Sequence, residues 1–295
     1  MWPAAGFSNV VGMTELVLEG IKAKQQITWA SGDYGAVAAH IHPIAEELVQ
    51  AADLSAGWRV LDVAAGSGNA AIAAARCGCR VTATDYVSSL LDRARERAAA
   101  EHFTLDYEIA DAENLPYADG SFDAVVSVVG AMFAPDQDRV AAELTRVCRP
   151  GGTIAMANWT PEGFIGQMFR TVGRRVPPPP GIRGPVEWGS EPRIRELFGD
   201  RVTDLRVVPR TFVFRFERPE AFTDYFRTNY GPTLKAFEAL GSSDGVVRGF
   251  PPRVDSAGGK LLYDDLVSLV SENNIATDGT VKIPSAYVQV LATRR

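Results

Sequence analysis

Between residues 55 and 159 the chain alternates short runs rich in β-branched and aromatic residues with alanine-rich runs of helical spacing. WRVLDVA, CRVTATD, TLDYEIAD, FDAVVSVVG and TIAMANW read as strands, and AAIAAAR, SSLLDRARERAAAEH and DRVAAELTRVC read as helices. Strands taking turns with helices predict a parallel sheet covered on both faces. At RPGG, residues 149–152, Pro150 cannot continue the last helix, and Gly151 or Gly152 is expected to take a left-handed cap.

Beyond Trp159 the texture changes. PPPPG at 177–181 reads as an extended surface connector, and SEPRIRELFG as a short helix with a serine N-cap and a closing glycine. DLRVVP and TFVFRF read as strand, PEAFTDYFRTNYGPTLKAFEAL and KLLYDDLVSLVSENN as helix, and AYVQVLATR as a terminal strand. The expected organisation is an N-terminal helical lid segment over 1–54 and a core over 55–160. A cap with a further strand follows over 161–285, and a strand over 286–295 returns to the core sheet.

Composition narrows the partners. A net charge of −6 and a pI near 5.2 leave no basic footprint for a phosphate backbone, so no nucleic-acid partner is expected. The start lacks the basic and apolar regions of a leader, and no apolar stretch is long enough to span a bilayer. A cytoplasmic protein is expected. Cys77, Cys79 and Cys148 fit neither a disulfide framework nor zinc-knuckle spacing, and no metal is expected.

The chemistry concentrates in VLDVAAGSGN, residues 60–69. A glycine turn between strand and helix usually receives a phosphate, but Asp62 would repel one. S-adenosylmethionine carries no phosphate and ends in a cationic amino acid beside a sulfonium, so the carboxylate suits it. Gly66 and Gly68 would let backbone approach that ligand, and Asp62 would hold the water or ammonium network at its amino group. Asp85, closing the second predicted strand, falls where acids meet ribose hydroxyls. Asp111, closing the third, would accept the adenine amino group while the Ala112 N–H meets a ring nitrogen.

That constellation, running from LDVAAGSGN through ENLPYADGSFD to ELTRVCRPGG, resembles the class I S-adenosylmethionine-dependent methyltransferases, and within them the small-molecule branch that includes the quinone C-methyltransferases. The family pattern has glycine where this chain has Ala64. The resemblance implies a Rossmann-like, doubly wound α/β sheet of seven strands in the order 3-2-1-4-5-7-6, the last antiparallel. N-terminal helices and a helical cap inserted after strand 5 would shape the acceptor pocket. Asn69, Tyr86 and Gly130 join the expected cofactor residues on neighbouring turns.

ITWASGDYG, residues 27–35, sets Trp29 and Tyr34 around a flexible turn, a candidate lid with an aromatic face for the sulfonium. Met132, Phe133, Trp159, Phe164 and Met168, with Phe169, are candidate acceptor-pocket walls at the carboxyl end of the sheet. His40 and Tyr34 are the weak candidates for a base, and methyl transfer can proceed by alignment without one. His42 and His102 are expected at the surface or a helix end, and Glu113 and Asp119 as solvated loop charges. The expected activity is methyl transfer to an O, N or C nucleophile of a small, largely apolar or aromatic molecule, with a homodimer as the candidate assembly. A non-catalytic S-adenosylmethionine-binding protein and an NAD-dependent oxidoreductase are the alternatives.

Overall fold

In a computed structural model that describes residues 8–241 and 256–295, two helices, α1 (Ser8–Trp29) and α2 (Tyr34–Ala52), precede the alternating region. That region runs β1 (Arg59–Val63), α3 (Asn69–Arg76), β2 (Arg80–Asp85), α4 (Ser88–Ala100), β3 (Asp106–Ile109), β4 (Phe122–Val128), α5 (Gln137–Val147) and β5 (Cys148–Trp159). It continues through α6 (Phe164–Arg175), α7 (Glu191–Phe198), β6 (Val202–Phe216), α8 (Pro219–Asn229), α9 (Gly231–Gly241), α10 (Ala257–Asn273) and β7 (Val281–Arg294).

The strands form one sheet in the order β3-β2-β1-β4-β5-β7-β6, with β7 antiparallel to both neighbours and the others of the core parallel. This is the order the family resemblance implies. Central strands β1 and β4 are buried almost throughout, because helices cover both faces and leave no polar side to alternate. In α3 every residue from Asn69 to Ala75 is buried, and small alanines let the helix lie close on the sheet.

Several local expectations change. α5 ends at Val147 and Cys148 is already extended, so RPGG belongs to the start of β5. Gly151 does take a positive φ of 70°, but at a register irregularity of the strand and not as a helix cap. DLRVVP and TFVFRF form a single 15-residue strand that runs through Pro209. β6 is an edge strand paired only with β7, so the missing proline N–H is not needed on its open side. The helical stretch after residue 218 breaks at Tyr230. There Tyr230 bridges Gly32, and Gly231 presses so close to the Thr28 backbone that a Cβ would overlap its carbonyl oxygen. α8 packs on α2, α9, α10 and β6, setting the 219–229 helix over the carboxyl end of the sheet.

No helix among the described residues is long and apolar enough to cross a membrane.

Candidate active site

The carboxyl ends of β1, β2 and β4 and the turn after β3 surround a cleft of about 600 Å³. After β1 the chain turns through Ala64 (φ 54°), Gly66 (φ 55°) and Gly68 (φ 83°), three left-handed residues in five. Left-handed backbone is costly for alanine, and such strain persists where the surroundings over-determine it. Here they do, because Gly130, in the turn after β4, leaves no space beside the Ala64 carbonyl oxygen. Val129 next to it is also left-handed, with φ 53°.

Asp85 is 5% exposed and held by backbone: Gly66 N–H donates to its Oδ2 and Val87 N–H to its Oδ1, each at 2.9 Å. Burial pushes its carboxyl up to about 6 against the pull of these N–H groups. β3 ends at Ile109, so Asp111 lies in the following turn, where Glu113 N–H donates to its Oδ1 at 2.9 Å. Of the residues expected at the cofactor, Trp29, Tyr34, Ala64, Gly66, Asp85, Tyr86, Asp111, Ala112 and Gly130 line the cleft.

A second, apolar cavity adjoins the first through the shared walls Tyr34, Val129 and Phe133. Val37, Ile41, Trp159, Ile165, Met168, Phe214, Phe226 and Tyr230 complete it, so among the described residues its only ionisable groups are two tyrosines. Burial raises both hydroxyls, which keeps them protonated. Trp29 ties the two cavities together, edge-on to Tyr34, Phe133 and Tyr230 at 4.8–5.6 Å.

The methyltransferase-domain family profile matches residues 61–156. A demethylmenaquinone methyltransferase of Deinococcus radiodurans is 38% identical over 181 residues, covering 58% of this chain and 69% of the relative. The chain belongs to the class I S-adenosylmethionine-dependent methyltransferases. An uncharacterized protein of Mycobacterium tuberculosis is 44% identical over 231 residues, 76% of this methyltransferase and 82% of the relative. Among solved structures, the YcgJ protein of Bacillus subtilis matches the fold with a TM-score of 0.57 at 16% identity, over 86% of this chain and 99% of that one.

Other sequence candidates of the methyltransferase fall outside the cleft. Asp62, 1% exposed, lies beneath the turn, where its Oδ2 accepts the Ala71 N–H at 2.8 Å and its Oδ1 has no partner. Burial pushes its carboxyl up to about 8. Gly68 serves packing, since a Cβ there would meet Ala94 Cβ at 2.9 Å. Asn69 locks three helices, donating to Ala38 O and accepting from Arg97, both at 2.8 Å. Met132 and Phe164 are core: the first is fully buried and the second packs on Phe222 at 5.3 Å.

His40 is stacked on Phe216 at 5.3 Å and meets Tyr225 edge-on at 4.9 Å, and it lines neither cavity. His42 sits in an ion cluster with Glu46 and Arg76. His102 is left-handed just past the end of α4, and Asp119 is an exposed partner of Arg146. The three thiols are unpaired and buried or half-buried, with burial pushing Cys79 up to about 11 and Cys148 up to about 12. Among the described residues no cluster of His, Cys, Asp or Glu could hold a metal ion.

Glu113 overturns its expected role as a solvated loop charge. It is 2% exposed, its Oε1 accepts the Asp136 N–H at 2.7 Å, and its Oε2 lies 2.7 Å from Lys22 Nζ. Lys22 reaches from α1 and also touches Asp111 Oδ2 at 2.7 Å. Nothing in its local sequence marks it for this site.

Proposed function

We propose that the cleft seats S-adenosylmethionine across the ends of β1, β2 and β4, and that the adjoining cavity holds a small, largely apolar or aromatic acceptor whose O, N or C nucleophile takes the methyl group. The observation that carries this reading is the shared wall of Tyr34, Val129 and Phe133, which puts a second, apolar chamber directly against the cofactor cleft. When bound, the cofactor supplies an electrophilic methyl on a sulfonium.

The residues fit that group. Asp85 is aimed by the turn itself and offers its remaining lone pairs to hydroxyls. Asp111 and Ala112 line the same cleft, which supports reading them as the acceptor and the backbone donor for an adenine edge. Asp62 Oδ1, buried without a partner, is available to a bound water or ammonium network below the turn. Trp29, Tyr34 and Phe133 exclude water from the seam, and exclusion with alignment can carry an in-line displacement.

Among the described residues the acceptor cavity offers no carboxylate, lysine or arginine to balance a charged molecule, which favours an uncharged one. Its hydroxyls are neutral donors, so Tyr34 and Tyr230 would orient an acceptor oxygen and would not deprotonate it. The apolar chamber also favours turnover over mere cofactor sensing. We read the protein as a cytoplasmic enzyme of small molecules, monomer or homodimer, without a nucleic-acid partner, in keeping with its net charge of −6.

Calorimetry with S-adenosylhomocysteine and nicotinamide cofactors side by side, followed by a turnover screen of uncharged aromatic acceptors, tests the reading. Saturable binding of the homocysteine product alone is expected. Binding of NAD instead would sink the cofactor placement, and turnover confined to charged amines would sink the acceptor class.

A further inference from the structure

Helix α1 docks in an unusual way. Among its residues from Glu15 to Trp29, the only buried one is a lysine, Lys22, at 8% exposure. Leu16, Val17 and Ile27 instead stand exposed. A surface helix ordinarily buries an apolar stripe; this one presents a polar seam.

Three side chains spaced i, i+3 and i+4 make that seam, and they share one helix face. Lys22 Nζ spans Asp111 Oδ2 and Glu113 Oε2 beyond β3, at 2.7 Å from each. Gln25 Nε2 donates to Phe133 O beyond β4 at 3.0 Å, and Gln26 Nε2 donates to Tyr86 O beyond β2 at 3.2 Å. The helix is thus pinned to three separate loops of the cofactor cleft rim.

The anchor lies at its far end. Trp29 is wedged among Tyr34, Phe133 and Tyr230, and the chain then turns at Gly32, whose φ of 71° and close approach to the Asn229 carbonyl leave no room for a side chain. The two glutamine bonds of the seam can be exchanged for bonds to water at small net cost, whereas the aromatic wedge cannot, which leaves the Lys22 cluster as the part of the seam that holds α1 down.

Resting on the assignment of the cleft to S-adenosylmethionine, we infer that Lys22 is a positioning residue that gates cofactor exchange by clasping α1 to the acid pair Asp111 and Glu113. Lys22 holds the carboxylate that the adenine amino group needs, so the cofactor enters and leaves when the Lys22 cluster opens and α1 lifts about its Trp29 end. Closure then covers the purine and fixes Asp111 against it.

The test is stopped-flow tryptophan fluorescence of S-adenosylhomocysteine association and dissociation on the full chain, with amide exchange along α1. Lys22→Met is combined with Glu113→Gln, which removes charge from both sides and keeps an acceptor for the Asp136 N–H. Loss of a gate should speed association and dissociation together by about tenfold, shift Kd far less, and raise exchange in α1 alone. Gln25→Ala with Gln26→Ala, which leaves the buried cluster intact, should move both rates in the same direction by a smaller factor. Lys22→Arg should return them towards the parent values.

Unchanged rates in both double variants would overturn the gate. So would faster dissociation alone, which would make Lys22 an ordinary ligand contact, or exchange rising throughout the sheet, which would make it a structural ion pair. Failure of the parent protein to bind S-adenosylhomocysteine would overturn the cofactor assignment and the gate together, and is thereby distinguished from failure of the gate alone.

Discussion

Gly130 is packed against Ala64 so tightly that a Cβ on it would overlap the Ala64 carbonyl oxygen and fall 2.9 Å from the Ala64 Cβ. The turns after β1 and β4, which form two sides of the cleft, are therefore set by one contact. Gly130→Ala should force them apart. Overpacking of this kind costs roughly 1–3 kcal/mol. S-adenosylhomocysteine affinity should fall more than thermal stability, as read by calorimetry and melting on the same sample. Native affinity in the variant would show that the turns are not coupled.

Ala64 itself holds a φ of 54° where a glycine would be unstrained. Ala64→Gly should stabilise the protein by up to about 1 kcal/mol, the relief of left-handed strain less the extra entropy glycine loses on folding. Urea unfolding measures it. A loss of stability would mean that the alanine methyl contributes packing that outweighs its strain.

Asp85 organises the turn as well as facing the cleft, because it satisfies the Gly66 and Val87 N–H groups. Asp85→Ala should cost stability and cofactor affinity together, about 1.5–3 kcal/mol each for bonds to a charged group. A variant with parental melting behaviour and weakened binding would confine its role to the ligand.

Asp62 makes stability depend on pH in a defined direction. Its carboxyl is pushed from 3.8 to about 8 by burial, so the folded state keeps a proton that the unfolded chain has released. That contribution is complete below about pH 4 and is lost as pH rises to about 8. Unfolding free energy should decline between pH 6 and 8 in the parent, and Asp62→Asn should flatten that segment. Parallel profiles would refute the raised value.

Met168 lines the apolar cavity but not the cofactor cleft. Met168→Trp should fill the chamber, abolish methyl transfer to aromatic acceptors and leave S-adenosylhomocysteine affinity within about twofold. Equal losses of both would argue that the two cavities are one site.

The chain's own pattern determined the alternating core and the acidic rim. Strands covered on both faces must be continuous apolar runs, and a tight turn from strand to helix demands residues such as Gly66, so β1 to β5 and the placement of Asp85 and Asp111 at the cleft were legible from local signals. Phe133, Trp159 and Met168, singled out in the sequence for lying near the carboxyl end of the sheet, line the apolar cavity. Tertiary structure decided what depends on distant partners. Asp62 is buried against the start of α3, where it accepts the Ala71 N–H, and His40 is spent on Phe216, in a strand that closes far along the chain. Whether Pro209 interrupts a strand depends on its being at a sheet edge, which only the sheet order reveals. Lys22 is the clearest instance: burying a charge is tolerable only when its counter-charges are already in place, and Asp111 lies 89 residues away.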